Sequence, residues 1–539
     1  MPEAKSANLC WGQHHHLLRY LRVPAPSRHE AHIGTSYPLP AGCTVAAVRT
    51  ALTHLVRRHE VLRTVYDLTG TAADGRTWPR QLVQPPSPQP VTEATTEDDG
   101  TPSPVDVVAR LTRTPFDLAR DWPMRACVVT TGGRLVRLHL VFNHLAFDDV
   151  ALDRLAAELD ELLAARTEGR PAVLAPVEHQ PVDLARFEES RTETDVEPAL
   201  SHWRGIVRQL PADVFAARRT ASEAAHSASY TVPALLSAAR AIAAREHVWP
   251  SAVHLAAYAV TLAAYTGETL VAHRMYTSQR DASGFGGAVT CLSYPTPVLA
   301  DLGGDPRFSS VVKESAARVS QAMAHAHVPY DRVYELVAEE SARRGMPVRV
   351  VAELNFLDNA PRSCRAKRDR YVVNAAPADW AHAGSDSYLR VYEWADGITL
   401  ALQALDAVMD ADAVERFLRG YARLVEAHRE PGTDLRVSEA AALIGFTPAP
   451  PRRTVRIDPG PAGLAPAPAE RVLIEVVAEV NGLGDVDPAC SYTGAGGRVL
   501  RLPRVVAALH ERGWSAGLVP FTTARPLSAL AHELVPARG

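Results

Sequence analysis

Apolar positions in the first third of the chain follow a helical period and then a strand period. Between Val45 and Arg58 they recur at three- and four-residue intervals, which predicts an amphipathic helix. Residues 61–66 and 135–142 predict strands, and leucines at 152, 155, 159 and 162 predict a helix after the second strand. A strand, a short loop and a helix are therefore expected around the loop sequence NHLAFDD.

The same alternation continues through the second half of the chain. The patterns predict helices over residues 251–265 and 411–428, and strands over 270–276 and 398–405. Such alternation places the protein in the α/β (α+β) class without fixing a topology. Two stretches rich in Pro and polar or small residues predict a loop at 84–104 and an interdomain linker at 447–469. A short helical module is expected at 470–539.

Length and charge narrow the possible classes of protein. A chain of 539 residues is expected to hold two or three domains. The formal net charge of −4 and the lack of a basic stripe argue against a nucleic-acid partner. No apolar run approaches the roughly 20 residues that span a bilayer, and the polar N-terminus lacks an apolar signal segment. A cytoplasmic protein without a membrane partner is predicted.

Cysteine and histidine usage predicts no metal site. The six cysteines lack a CxxC pair, which favours reduced, mostly buried thiols over disulfides or zinc ligands. The consecutive His14, His15 and His16 suggest a ligand set at first sight. Consecutive residues do not share one face of a helix or strand, so a structural or surface role is predicted for them instead. The cysteines are Cys10, Cys43, Cys127, Cys291, Cys364 and Cys490.

His144 is the sharpest candidate for chemistry. It follows the predicted strand 135–142, where rigid structure can hold its ring toward a channel. Histidine titrates near neutral pH and can act as a general base toward an attacking amine or alcohol, or orient that group. His144 followed four residues later by Asp148 is by itself a weak motif, and a structural core histidine is the alternative.

The interpretation of His144 becomes more specific when other stretches of the chain are considered together with it. NHLAFDD at 143–149 is similar to the HHxxxDG motif of the condensation domains of nonribosomal peptide synthetases, and seven more stretches resemble motifs of that family in the same order. An ordered series is far more specific than any single member, and this one covers residues 5–430. The seven are WGQHHHLLRYL (11–21), RHEVLRTVY (58–66), HQPVDLARF (179–187), LSHWRGIVRQLP (200–211), SQRDASGFGGAVTCLSYP (278–295), HVPYDRVYEL (327–336) and PVRVVAELNF (347–356).

The resemblance implies a fold and a site. The fold would be two chloramphenicol-acetyltransferase-like lobes in a V, residues 1–178 and 179–446, with His144 as the active-site histidine in a tunnel between them. Asp148 would be structural and pair with Arg280 of the second lobe; a solvated loop arginine is the alternative for Arg280. The phosphopantetheine arm of a separate donor carrier protein would enter from one face. A small amine or a carrier-bound acceptor would enter from the other.

Two positions of NHLAFDD depart from the family motif. Asn143 replaces the first histidine, an architectural position at which Asn still offers a donor and an acceptor. Asp149 replaces the glycine. It either caps the helix predicted to begin near Val150, or faces the acceptor side, where its carboxylate attracts a cationic amine or blocks a bulky acceptor. The X-domains of glycopeptide synthetases, which recruit cytochromes and condense nothing, also alter this motif, but they lose the histidine that is retained here.

Residues 470–539 resemble a peptidyl carrier domain. In that family a serine after GGD carries the phosphopantetheine arm. Here Val499 follows Gly-Gly-Arg498, and Ser491 precedes the glycines. Valine offers no nucleophilic oxygen, and Pro503 is expected to delay or kink the helix that follows. A degenerate carrier without a covalently bound cofactor, kept as a structural or docking module, is predicted.

Together these observations predict a stand-alone condensation enzyme of secondary metabolism. It would join a carrier-bound acyl or aminoacyl thioester to an amine, forming an amide in preference to an ester. No adenylation, P-loop or dinucleotide motif is visible in the sequence, so both substrates are expected from outside. Two alternatives stay open: a noncatalytic recruitment platform like the X-domains, and an acyltransferase that uses acyl-coenzyme A.

Overall fold

A computed structural model describes residues 5–69, 79–96, 103–280, 284–358, 362–447, 449 and 468–537. The first of three parts, which we call the N-terminal lobe, contains two sheets. Among its described strands, β2-β7-β6-β5 form one sheet and β1-β4-β3 the other. Its elements are β1 (Ser6–Asn8), α1 (Trp11–Arg22), β2 (His32–Pro38), α2 (Val45–Arg58), β3 (Thr64–Asp67), β4 (Arg80–Val83), β5 (Val91–Thr95), α3 (Pro104–Arg113), β6 (Met124–Thr131), β7 (Arg134–Asn143) and α4 (Asp149–Glu168).

The second part, the C-terminal lobe, is built on a larger sheet. The order of its described strands is β10-β9-β11-β13-β14-β8-β12, in which only the pairings of β11 with β9 and β13 are parallel. Its elements are α5 (Pro181–Glu189), α6 (Glu193–Val207), β8 (Ala225–Val232), α7 (Pro233–Glu246), α8 (Pro250–Thr266), β9 (Leu270–Ser278), β10 (Ser293–Asp301), α9 (Phe308–Ala324), α10 (Tyr330–Arg344), β11 (Ala352–Asp358), β12 (Arg370–Val373), β13 (Ser387–Trp394), β14 (Gly397–Leu405), α11 (Ala411–Ala427) and α12 (Val437–Ile444).

The third part, the C-terminal module, is mainly helical. Its elements are α13 (Pro468–Asn481), α14 (Leu502–Glu511), β15 (Trp514–Ser515), α15 (Leu527–Ala531) and β16 (Val535–Pro536). Pro503 is the second residue of α14, in the first turn, where a helix needs no backbone donor, and a 3-10 turn (Val499–Arg501) directly precedes the helix. Most of the predicted linker 447–469 lies outside the described residues.

A large apolar core holds β7, the strand that precedes His144, in place. On the N-terminal lobe, Leu52 and Leu55 of α2 pack with Leu155 and Leu159 of α4 over the sheet, in one core with Phe142 of β7. Burying each such side chain contributes roughly 1.5–3 kcal/mol. In the C-terminal lobe the Ala-rich α8 is buried along nearly its whole length. The core of the N-terminal lobe therefore fixes the end of β7 and the start of α4.

Each helix and strand predicted from periodicity is present in the structure, and the differences have simple causes. The loop predicted at 84–104 contains β5, which pairs in parallel with β6. A stretch rich in polar residues and Pro gave no strand signal, because this strand lies at the sheet edge. Val61 lies in a 3-10 turn (Glu60–Arg63), so the strand begins only at Thr64. Within the described ranges, no helix is both long and apolar enough to cross a membrane.

Candidate active site

His144 follows directly after β7, the strand that lies between β2 and β6. Its backbone N–H donates to the Ala31 carbonyl at 3.2 Å. The turn is closed by Asn143, whose side-chain oxygen accepts from the Leu145 N–H at 2.9 Å. Such a turn is a standard use of Asn. Asn143 therefore closes the turn that carries His144 after the strand.

The His144 ring lies against a second histidine. His16 of α1 stacks on it with ring centroids 4.2 Å apart and an angle of 24° between the planes. His16 Nε2 donates to the Ser293 carbonyl at 2.8 Å, since a carbonyl can only accept. Burial, reinforced by His144, holds the pKa of His16 well below its usual value, so this ring is neutral. His144 itself is partly exposed, and its buried Nδ1 has no hydrogen-bond partner among the described residues.

Asp148 fixes the start of α4 and joins it to the C-terminal lobe. One carboxylate oxygen accepts from the Ala151 N–H at 2.8 Å and so caps the helix. The same oxygen accepts from Arg280 Nη2 at 2.5 Å. The other oxygen accepts from the Leu292 N–H at 2.9 Å. A buried carboxylate satisfied in this way holds one geometry, since losing any partner would leave a charge unpaired.

Arg280 is buried in a nest of backbone carbonyls and is not a solvated loop residue. Besides Asp148, it donates through Nη1 to Gly286 and Ala288, both at 2.9 Å, and through Nη2 to Thr290 at 3.1 Å. Its side chain is 11% exposed. The structure thus brings Asp148 and Arg280 together, and Arg280 fastens the loop before β10 against the start of α4.

Asp149 does not have the capping role that was one of its two expected roles. The helix cap is Asp148, and Asp149 is already the first residue of α4, so the expectation that Asp149 caps a helix beginning near Val150 is wrong. The Asp149 carboxylate is exposed, yet enough protein surrounds it that desolvation raises its pKa. The nearby His144 opposes this rise. An accessible carboxylate therefore stands beside the candidate histidine.

The motif at 58–66 supports the helix that follows His144. Glu158 of α4 accepts from Arg58 Nε at 2.9 Å and lies 2.7 Å from His59 Nε2. Burial would raise the pKa of Glu158, but the hydrogen bonds from His59 and Arg58 lower it overall. The next motif joins the same network, because Gln180 accepts from the Glu60 N–H at 3.0 Å. Motifs far apart in sequence thus meet around α4.

The three consecutive histidines diverge to three sets of partners. His14 Nδ1 lies 2.8 Å from Asp331, and His15 Nδ1 lies 3.1 Å from the Tyr334 hydroxyl. Only His16 reaches His144. All three are buried, which agrees with a structural role and rules out a surface role. Their divergence follows from the 100° turn between consecutive helix positions.

Sequence reasoning missed how closely α1 approaches the loop before β10. A Cβ on Gly12 would lie 2.4 Å from the Cys291 carbonyl oxygen, so only glycine allows this contact. His16 stands one helical turn after Gly12 and meets the same loop. The glycine between Trp11 and the histidine run was the available signal. The partner, Cys291, is far away in sequence and only the tertiary fold identifies it.

The C-terminal module contacts α10 through its Gly-Gly-Arg-Val segment. Arg498 donates to Glu335 at 2.9 Å and to Asp331 at 3.1 Å, and the Val499 N–H donates to Glu335 at 3.2 Å. Burial opposes ionisation of Asp331, but His14 and Arg498 outweigh it and lower its pKa to about 2. One ionised carboxylate therefore links α1, α10 and the module.

Comparison with known proteins identifies the family. Residues 32–433 match the condensation domain family, and the chain belongs to it. The chondramide synthase of Chondromyces crocatus is 27% identical over 317 residues, which are 57% of this chain and 8% of the synthase. The chain thus corresponds to a small part of that relative.

Solved structures share the fold. The condensation domain of the monacolin K polyketide synthase MokA superposes with a TM-score of 0.64 at 18% identity, covering 80% of this chain and 99% of that domain. The X-domain in its complex with OxyB from teicoplanin biosynthesis superposes with a TM-score of 0.61 at 22% identity, covering 82% and 96%. The fold is therefore that of condensation domains, as the motif series implied.

Proposed function

We propose that this protein is a stand-alone condensation enzyme of secondary metabolism that forms an amide. The amine nitrogen attacks the carbonyl carbon of a carrier-bound acyl or aminoacyl thioester. A C–N bond forms, the C–S bond breaks, and the amine proton ends on the carrier thiol. An alcohol acceptor, giving an ester, is the less favoured form of the same reaction. The observation that carries the proposal is the retained His144, held at a strand end beside a neutral histidine.

In this mechanism His144 orients the amine or takes its proton. Its ring is partly exposed, while its neighbour His16 is neutral and committed to Ser293, so only His144 is available to the acceptor. Backbone N–H groups in the first turn of α4 would stabilise the oxyanion, because the positive end of a helix dipole lies there. Asp149 would attract a cationic amine. Asp148 and Arg280 keep these groups in place.

Both substrates would come from other proteins or from solution. The donor would ride on the phosphopantetheine arm of a separate carrier protein acting in trans, in the cytoplasm. The acceptor would be a small amine or a second carrier-bound group. The sequence supports an external source of the activated donor, since it contains no recognisable motif for activating an acyl group.

The C-terminal module would be a degenerate carrier with a structural role. Val499 stands where the arm-bearing serine is expected, and its side chain is buried. Ser491, the nearest serine before it, is 5% exposed and its hydroxyl accepts from the Gly494 N–H. The module also shares an apolar cluster with Leu18 of α1. A phosphopantetheine arm attached at either position would have to disrupt the packing of the module.

The decisive experiment compares two histidines of the same strand region. With loaded carrier protein and a panel of amines, His144→Ala should lower product formation about 100- to 10,000-fold, the usual worth of general acid–base catalysis. His139→Ala, within β7, should remain near the wild-type rate. Products are quantified by mass spectrometry. Undiminished product formation by His144→Ala rejects the mechanism, and equal use of free acyl-coenzyme A would favour the coenzyme A alternative.

A second candidate is a recruitment platform that catalyses nothing. The departures at Asn143 and Asp149 and the fold shared with the X-domain bound to OxyB favour it. Such a protein would bind a carrier protein or tailoring enzyme tightly and turn over no thioester. Its binding affinity would not change in His144→Ala. Affinity and turnover measured on the same variant therefore separate the two functions.

A further inference from the structure

One face of the large sheet in the C-terminal lobe is polar although protein covers most of it. Side chains in a strand alternate between the two faces of the sheet. In β9, β11 and β13 the residues on one face join the apolar core around α8. Those on the other face point toward α1, where Arg19 donates to the Tyr276 hydroxyl of β9 at 3.1 Å. The polar side chains on this face are Arg274, Tyr276, Glu353, Asn355, Tyr388 and Arg390.

Four arginines gather at this face, and we call them the arginine wall. Two of them lie over the ring of Tyr388, with Arg19 5.8 Å and Arg390 5.3 Å from its centroid. Burial and the charges around His15, three of the four arginines among them, hold the pKa of His15 well below its usual value. The guanidinium groups are therefore close neighbours. The four are Arg19 and Arg22 of α1, Arg274 of β9 and Arg390 of β13.

The arginine wall carries more positive charge than the protein around it balances. Glu353 of β11 forms an ion pair with Arg274 and lies 3.7 Å from Arg19. Within the described ranges, Arg22 and Arg390 have no ion pair. The Arg22 guanidinium lies against an aromatic ring, and Arg390 donates to a neutral side-chain amide at 2.6 Å. Among the described residues, one carboxylate thus faces four guanidinium groups.

Hydrogen-bond donors of the same arginines are left unused. The Nε atoms of Arg22, Arg274 and Arg390 are buried and have no hydrogen-bond partner in the part of the chain that the structure describes. Buried polar groups normally have such a partner. The Arg274 side chain is only 7% exposed. Because a buried cation with too few partners costs free energy, an anion bound between these arginines would stabilise the protein.

The position of α1 indicates what kind of anion fits. Arg19 and Arg22 follow His16 by about 4.5 and 9 Å along the helix axis, and the ring of His16 stacks on that of His144. A guanidinium fork matches a carboxylate through two parallel hydrogen bonds. We propose that the arginine wall binds a carboxylate at the far end of a substrate whose reacting group lies at His144. This inference rests on the proposed function, and the carboxylate belongs either to the acceptor amine or to the acyl donor.

Binding of the carboxylate can be tested without turnover. Hexanoate and hexanamide serve as probes, since they differ mainly in the charge of one end, and calorimetric titration of the full chain measures their affinities. Wild-type protein should bind hexanoate about tenfold or more tightly than hexanamide, the worth of a charge-assisted hydrogen bond. Arg22→Gln should lose this preference. Arg343→Gln, at an arginine of α10 that is 64% exposed, should keep it.

Two results of the titration would overturn the site. Equal affinity of wild-type protein for the two probes refutes it, and so does an Arg22→Gln protein that still prefers hexanoate. Arg22 has no ion pair to lose among the described residues, so its replacement should leave the midpoint of thermal unfolding unchanged or raise it. The comparison of the two probes on wild-type protein decides by itself should the variant not fold.

Turnover then identifies the substrate that carries the carboxylate. One series compares 6-aminohexanoate with 6-aminohexanamide as acceptors of a hexanoyl group, and the other compares adipoyl with hexanoyl carrier thioesters as donors to butylamine. In one series kcat/KM should be at least tenfold higher for the acid, and Arg22→Gln should abolish the difference. No preference in either series refutes the substrate role of the arginine wall. Preference for hexanoate without amide formation sinks the proposed function alone, and amide formation without that preference sinks the carboxylate site alone.

Discussion

At the scale of single residues, Asp148 joins three parts of the structure around the start of α4. It caps α4, pairs with Arg280 and accepts from Leu292. We expect Asp148→Ala to lower the free energy of unfolding by about 3–5 kcal/mol, because it leaves Arg280 as a buried unpaired cation. Urea unfolding followed by near-ultraviolet circular dichroism measures this.

The control for that substitution lies on the same helix. Asp153 is 72% exposed, and its contact with Arg362 spans 3.6 Å at the surface. Asp153→Ala should change the unfolding free energy by about 0.5 kcal/mol or less. Equal effects of the two substitutions would contradict a central role for Asp148.

Asp149 is the residue at which acceptor choice should be decided. It is accessible and close to His144, and it is free of the capping role because Asp148 caps the helix. Asp149→Asn keeps the shape and removes the charge, so KM for a cationic amine should rise about tenfold, the worth of one charge-assisted hydrogen bond. The kcat should change little. Steady-state kinetics with Asp153→Asn as the matched variant tests this, and an unchanged KM would exclude the carboxylate from acceptor binding.

At the scale of elements, α1 depends on one glycine. Even a methyl group at Gly12 would overlap the backbone of Cys291, so Gly12→Ala must push α1 and His16 away from Ser293. We expect a loss of about 1–3 kcal/mol in unfolding free energy, together with reduced amide formation. Thermal unfolding and product assays report the two effects.

Replacing a second helical glycine by alanine should have the opposite effect on stability. Gly205 lies inside α6 with open space where its Cβ would stand. Gly205→Ala should therefore stabilise the protein by about 0.5–1 kcal/mol, since alanine favours helix over glycine. If Gly12→Ala and Gly205→Ala change the free energy of unfolding in the same direction, the close approach at Gly12 does not fix the position of α1.

At the scale of the whole molecule, buried neutral histidines make the fold sensitive to acid. Burial lowers the pKa of each, so the unfolded chain takes up protons below about pH 6.5 while the folded chain does not. The free energy of unfolding is therefore at its full value above pH 6.5 and falls as the pH drops toward 4. The buried residues are His15, His16, His254 (pKa about 3) and His273 (about 4), and the half-buried His32 (about 4) acts in the same way.

One of them can be isolated experimentally. His254 alone should account for about 2 kcal/mol of the loss between pH 8 and pH 5. His254→Leu should reduce the pH slope of urea unfolding by that amount, while replacing the exposed His54 with Gln should leave the slope unchanged. A His254→Leu protein with the wild-type slope would place the acid sensitivity elsewhere.

The sequence alone determined the helices and strands that have a clear hydrophobic period, and it pointed to the family. Periodicity suffices for α8 and β7 because their cores impose it, and the ordered motifs led to His144, Asp148 and Arg280. The tertiary structure decided which groups meet: the cap at Asp148 in place of Asp149, the strand β5 inside an expected loop, and Cys291 beside His16 and His144. These depend on contacts between residues distant in sequence, on sheet edges and on single close approaches. Local pattern carries no information about them.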